Sequence, residues 1–344
     1  MNDPSFAYFG IRNDLADRLL KASHQLAGVP QQNRSGVLAA ALDAVPEAAQ
    51  LLRPYPILFA DGDSAASRLA YSCLTASATF PGARRDQIAD LGALTMILFG
   101  MDDVADGIAG DWSDHEVGAF FESIGAVLAG AQPEVDAADV RGQVLHAWSG
   151  WCDRFRGHPG AAVHTPNLLR QLELAGAAMA LERAWATGGE PWPDYGRYLA
   201  NGAPTILYPT WWAAALGIRG PVPADAGHWE SMEQATLLGA ACMRLANDIR
   251  TFERERREGK PNSVLILEHG GMSTEAAVER VSAQVADLNA EFAAALADLP
   301  GELAGIAEGQ HRCVSFNGAW YRSRDTHAYT VQELAKDVET HRAD

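Results

Sequence analysis

The chain has 344 residues, of which 48% are apolar and 21% charged, and its formal net charge is −17. That composition is globular rather than disordered, and the length allows one large domain or two average ones. The acidic balance speaks against nucleic acid and anionic membranes as general partners, but not against an anionic small ligand held through metals or clustered arginines.

The opening stretch, "MNDPSFAYFGIRNDLADRLL", lacks a basic region followed by an apolar one, so no secretory signal is expected. Cys73, Cys152, Cys242 and Cys313 are scattered with no CxxC pair. They read as buried thiols of a reducing compartment, which places the protein in the cytoplasm. The longest nearly uninterrupted apolar run, "LGALTMILFGM" at 91–101, is too short to span a bilayer and ends in two aspartates. Elsewhere apolar residues recur at three and four, as in "SMEQATLLGAACMRLAND", and no alternating strand pattern is found. Breakers at 80–84, 156–160, 187–196 and 218–227 divide the chain into about ten to twelve helices. The expectation is one all-α domain over 1–344, with flexible ends near 1–20 and 330–344.

Two polar clusters carry chemistry. In "LFGMDDVADG" an apolar helix runs into Asp102, Asp103 and Asp106 and stops at Gly107. Asp102 and Asp106 share one face; Asp103 lies about 100° round. Like charges at this spacing destabilise a helix, and they sit near its unfavourable C-terminal end. A hard divalent cation would offset that cost. In "RLANDIRTFERERREGKPNSV", at 244–264, Asn247, Thr251 and Glu255 are spaced i, i+4, i+8 and share a face. Carboxylate, amide and hydroxyl oxygens suit Mg²⁺, and neither cluster contains the histidine or cysteine that zinc would want.

The pair of motifs resembles class I terpene synthases. "DDVAD" at 102–106 matches DDxxD, and "NDIRTFERE" at 247–255 matches NDxx(S/T)xxxE. The longer stretch "RLANDIRTFERERREGKPNSV" is similar to the corresponding part of plant-type diterpene synthases, particularly kaurene synthases. So are "ATFPGARRDQIADLGALTMILFGMDDVADG", "YLANGAPTILYP" and "WYRSRDTHAY". The resemblance covers about residues 65–330 and lacks the extra helical domains of the plant enzymes, as in a bacterial single-domain version. It implies an α-helical bundle around an apolar active-site cavity with three Mg²⁺ at its mouth. By resemblance Asp102 and Asp106 bind two of them; Asn247, Thr251 and Glu255 bind the third. Asp103 completes the catalytic set by pairing with arginines on closure.

The resemblance further implies an isoprenoid diphosphate substrate. Arg244, Arg254, Lys260, Arg322 and Arg324 would meet the diphosphate, with Arg68 a further candidate. Phe80, Phe99, Trp211, Trp212, Trp320 and Tyr321 would line the cavity. Gly202, Pro204 and Pro209 predict a broken helix; in the family such a break turns Ala203, Thr205 and Ile206 toward the cation. Bacterial relatives carry a sensing arginine where Asn201 or Gly202 stands here, and an Arg–Tyr pair where Arg324-Asp325 stands. Both departures favour the plant-like subgroup, hence a copalyl-type diphosphate cyclised to a kaurane-, atisane- or pimarane-like diterpene. No DxDD motif is present, so an upstream class II cyclase would supply the bicycle. A direct cyclase of geranylgeranyl or farnesyl diphosphate is the alternative, followed by a helical binding protein without turnover. A trans-prenyltransferase fits less well, because its second motif would be aspartate-rich. Homodimers are common in such a family.

Overall fold

The computed structural model describes residues 26–59, 63–107, 110, 112–220 and 226–323. The opening stretch and the expected flexible ends therefore lie outside the described residues. Within them the chain forms twelve α-helices, two short 3₁₀ turns and no strand. In order they are α1 (Gln31–Leu52), α2 (Asp63–Thr79), α3 (Arg85–Ala105), α4 (Asp114–Leu128), α5 (Val140–Phe155), α6 (Ala161–Thr187), α7 (Tyr195–Thr205), α8 (Tyr208–Arg219), α9 (Ala226–Glu258), α10 (Ser263–His269), α11 (Thr274–Ala297) and α12 (Ala304–Ser323). No described helix is long and apolar enough to cross a membrane. All four cysteines are buried free thiols.

Helix α3 is buried round most of its circumference, with Ile88, Leu91, Leu94, Ile97, Leu98 and Met101 all enclosed. A helix apolar on every side belongs among other helices, not on a surface. It packs on α1, α2, α5 and α8. Gly92 lets α2 come close, since a methyl group there would stand 2.7 Å from Cys73 Sγ. Behind α3, Trp148, Trp151 and Phe155 of α5 form a stacked column, and the Trp151 indole donates to the Asp90 carbonyl at 2.8 Å.

Helix α9 runs for 33 residues and contacts α7, α8, α11 and α12. Contacts link α2 to α3, α3 to α8, α8 to α9, α9 to α12 and α12 back to α2. These five helices therefore ring a central space. The break expected in "NGAPTILYP" is present: α7 ends at Thr205 and α8 begins at Tyr208. Between them Leu207 adopts φ 57°, the one non-glycine residue with positive φ among the described residues. That conformation costs about 1–2 kcal/mol. Pro209 has no N–H to offer the Thr205 carbonyl, so the sequence cannot run straight through.

The tight α2–α3 approach gives a stability test. Gly92→Ala should lower the unfolding free energy by about 1–3 kcal/mol in urea denaturation, because the added methyl overlaps Cys73. Gly118→Ala in α4, where an added Cβ meets nothing within 4 Å, should instead raise it by about 0.5–1 kcal/mol.

Candidate active site

Asp102 lies in the last turn of α3 and Asp106 is its C-cap, followed by Gly107 with φ 73°. Asn247 and Glu255 lie on α9, two turns apart. All four carboxylate and amide side chains line one cavity of about 230 Å³. Lys260, just beyond α9 and the second motif, reaches the first: its Nζ lies 2.8 Å from Asp106 Oδ2. The turn that swings it there is made by Gly259, at φ 70°.

The residues after α9 lock the second motif. Asn262 caps α10 by accepting from the Val264 amide at 2.8 Å. Its Nδ2 donates to Glu255 Oε2 at 2.7 Å and to the Asp248 carbonyl at 3.0 Å. Asp248, fully buried, accepts from Tyr198 Oη at 3.0 Å and from the Ser263 amide at 3.2 Å. One residue thus starts a helix and holds a site carboxylate.

A second network ties α9 to the broken helix. Arg244 donates to Tyr198 Oη at 2.6 Å and to Thr205 Oγ1 at 3.0 Å. It also pairs with Glu182 and Asp248, each at 3.1 Å. Thr205 in turn donates to Glu182 Oε1 at 3.0 Å. Gly202, one of the two positions at which the resemblance places a sensing arginine in bacterial relatives, leaves room for this guanidinium arm: an added Cβ would stand 3.0 Å from Arg244 Cγ.

Of the other expected residues, Arg244, Arg254, Phe99, Thr205, Ile206, Trp211 and Tyr321 line the cavity. Phe80, Trp212, Ala203 and Trp320 are buried behind its wall instead. Phe80 stacks on Trp212 with centroids 5.7 Å apart, and Trp320 packs on Tyr71 at 4.8 Å; their faces are already covered by other rings. Thr251 also sits behind the surface, its hydroxyl turned back to the Asn247 carbonyl at 3.0 Å. Asp103 points sideways, as its 100° offset requires, and meets Arg68 at 3.3 Å. The Arg322 side chain and all of Arg324 lie outside the described residues.

The family model of terpene synthase family 2, C-terminal metal binding, matches residues 93–291, a span that contains both motifs. The chain belongs to this family. Solved structures show the same fold. 2-Methylisoborneol synthase from Streptomyces coelicolor A3(2) is 17% identical, with a TM-score of 0.66 over 86% of this chain and 91% of that one. Wild-type cucumene synthase is 19% identical, with a TM-score of 0.62 over 84% and 96%. The Streptomyces enzyme was also solved in complex with Mg²⁺ and geranyl-S-thiolodiphosphate; that structure is 16% identical, with a TM-score of 0.63 over 82% and 92%. No curated protein sequence matches closely enough to add a further relative.

The electrostatics of this class I terpene synthase fit a hard cation. Burial first, then the Asp106 and Asp103 carboxylates, hold the Asp102 carboxyl well above the usual carboxylate range, with Lys260 opposing. Burial and the neighbouring Asp248 charge push Glu255 up to about 7, against the pull of Arg244 and Asn262. Acids crowded this way gain most from a multivalent counterion. Among the described residues no three acidic, imidazole or thiol groups already converge at metal-ligand spacing; the donors flank a cleft from α3 and α9 and include the Asn247 amide.

Glu182 and Arg183, which line the cavity, and Tyr198, Asp248 and Asn262 are not among the residues that the motifs single out. Three of them stand inside the quoted stretches: Asp248 in "NDIRTFERE", Tyr198 at the start of "YLANGAPTILYP" and Asn262 in "EGKPNSV". Asn262→Leu should lower the unfolding free energy of the metal-free chain by about 2–4 kcal/mol, the worth of a helix cap plus a charged hydrogen bond. Asn262→Asp keeps a capping oxygen but turns a second carboxylate on Glu255, so urea denaturation should find it destabilised too. A wild-type midpoint for Asn262→Asp would limit Asn262 to capping.

Proposed function

We propose that the cavity binds an allylic isoprenoid diphosphate with three Mg²⁺, and that its substrate is a copalyl-type diphosphate cyclised to a kaurane-, atisane- or pimarane-like diterpene. The observation that carries the reading is the convergence of Asp102, Asp106, Asn247 and Glu255 on the mouth of one cavity, with Lys260 bridging the two helices. Bound there, the metal would neutralise the diphosphate as its C–O bond breaks. Asp102 and Asp106 would hold metal from one side, and Asn247 and Glu255 from the other, with Thr251 steadying the Asn247 backbone.

Arg254 and Lys260 are the basic groups best placed for the diphosphate. Both line the cavity, and Arg254 stands beside the motif residue Glu255, at 3.6 Å. Arg244 is committed to four protein partners and serves better as a strut between α9 and the broken helix. Below the mouth, Leu98, Phe99, Leu207, Trp211 and Met243 supply an apolar wall that keeps water from an allylic cation. Aromatic faces there stabilise positive charge by about 0.5–2 kcal/mol each. The copalyl-type choice is supported by the "EGKPNSV" resemblance, whose Lys260 and Asn262 are wired to Asp106 and Glu255. A separate class II cyclase would then make the bicycle.

The full chain incubated with Mg²⁺ and, in turn, geranyl, farnesyl, geranylgeranyl and copalyl diphosphates should release diphosphate fastest from the copalyl compound, with product analysis by gas chromatography and mass spectrometry. A faster reaction with geranylgeranyl or farnesyl diphosphate would assign a direct cyclase instead. Asp102→Ala and Asn247→Ala should each slow release by at least about 10²-fold, with the far-ultraviolet circular dichroism unchanged. Full activity in either variant would overturn the metal assignment.

A further inference from the structure

The cavity stops well short of the far end of the bundle. On α3 its lining runs from Asp106 and Asp102 through Phe99 and Leu98 to Thr95, although the helix continues back to Arg85. On α8 it runs from Leu207 and Tyr208 to Trp211, although the helix continues to Arg219. The two helices run in opposite directions, since Gln87 near the start of α3 donates to the Ile218 carbonyl near the end of α8 at 2.9 Å. Thr95 and Trp211 are therefore the lining residues of α3 and α8 that lie furthest from the carboxylates. Seven residues of α3 separate Thr95 from Asp102, about 10 Å of helix.

These two end residues are joined. Trp211 Nε1 donates to Thr95 Oγ1 at 3.0 Å, and the Thr95 hydroxyl donates in turn to the Leu91 carbonyl at 2.9 Å. The hydroxyl proton is spent on the backbone, so the oxygen is oriented as an acceptor and the indole is held from α8 to α3 across the end of the cavity. Close packing lies behind it. Phe80, which does not line the cavity, stands nearly parallel to the indole, at 13° with centroids 6.5 Å apart, and stacks on Trp212 as well. Gly309, one turn before the lining residue Cys313 on α12, lets both rings close in: an added Cβ would stand 3.1 Å from Phe80 and 3.2 Å from Trp212.

We propose that Trp211, latched by Thr95, is the floor that limits the length of hydrocarbon this site accepts. The inference rests on the reading that the cavity takes an isoprenoid diphosphate with its charged end among the carboxylates. The hydrocarbon then has about two helical turns of depth before it meets the indole. A further isoprene unit on an open chain cannot extend past that ring and must fold back on itself, whereas a hydrocarbon already closed into fused rings is short enough to enter. The floor therefore selects compact hydrocarbons over extended ones of the same carbon number, which is the discrimination a copalyl-type substrate requires. Trp211 sets specificity by contact with the hydrocarbon. Thr95 is a positioning residue that acts through the indole.

The test measures binding, so that turnover does not enter. The full chain with Mg²⁺ is titrated calorimetrically with farnesyl- and geranylgeranyl-S-thiolodiphosphate, open chains that differ by one isoprene unit. Five further carbons buried in a bottomless apolar cavity would tighten binding more than about a hundredfold; the floor predicts a gain below about tenfold in the wild type. Trp211→Ala removes the indole and should raise the preference for the longer chain by at least about tenfold, because several of those carbons then find room. Thr95→Val keeps the shape of the side chain and the indole but removes the acceptor. It should raise the preference by about fivefold, the factor one ordinary hydrogen bond is worth. The preference compares two ligands on the same folded fraction, so lower stability does not move it, and if Trp211→Ala fails to fold, Thr95→Val decides alone. A wild-type gain above about a hundredfold, or a preference unchanged in the variants, would overturn the floor and leave the diphosphate site standing. Binding of neither analogue would overturn the substrate reading and this inference with it.

Discussion

Four acidic side chains that line one cavity, Asp102, Asp106, Glu182 and Glu255, repel one another, and most of the architecture around them manages that repulsion. In water like charges at this spacing cost little; beside a low-dielectric cavity they cost far more. The chain answers with cations from its own sequence. Lys260 reaches Asp106, Arg68 reaches Asp103, and Arg244 sits between Glu182 and Asp248. Lys260 ties the ends of α3 and α9 together, Arg68 ties α2 to α3 and Arg244 ties α9 to α6, while Asp102, Asn247 and Glu255 line the cavity. The mouth is thus poised for a more highly charged counterion than any side chain can supply.

Rigidity reaches the site through shared residues. Asn262 starts α10 and also clamps Glu255, so the helix end and the site carboxylate are set together. Thr205 ends α7, and its hydroxyl joins Glu182 to Arg244. The strained Leu207 that follows is held because Pro209 cannot continue the helix and because α8 is buried almost throughout, with Gly202, Ala203 and Thr205 at the end of α7 buried beside it. The broken helix is therefore coupled to the metal-motif helix through a polar network, not through apolar packing alone. Such a network, fully satisfied, gives one geometry where oily contacts would allow several.

The cavity lining is mixed: Asp102, Asp106, Glu255, Arg254 and Lys260 are charged, Leu98, Phe99 and Trp211 are apolar or aromatic, and Tyr71 and Asn317 are weakly polar. A charged group beside an apolar wall suits chemistry in which charge develops away from bulk water.

Much of this was legible in the residues themselves. Helical periodicity with breakers between the segments determined an all-α chain, because 3.6-residue spacing of apolar groups has few other solutions. Spacing by four determined which oxygens share a face, and the prolines with Gly202 determined that a helix must break near Leu207. Resemblance to terpene synthases rested on the same two motifs. Contacts between distant segments were not legible. That Lys260 meets Asp106 across 154 positions, that Glu182 serves Arg244, and that Phe80 and Trp320 are covered by other rings depend on how helices pack. Periodicity says which face of a helix is buried but not which helix will cover it; only the closed ring of α2, α3, α8, α9 and α12 decided that.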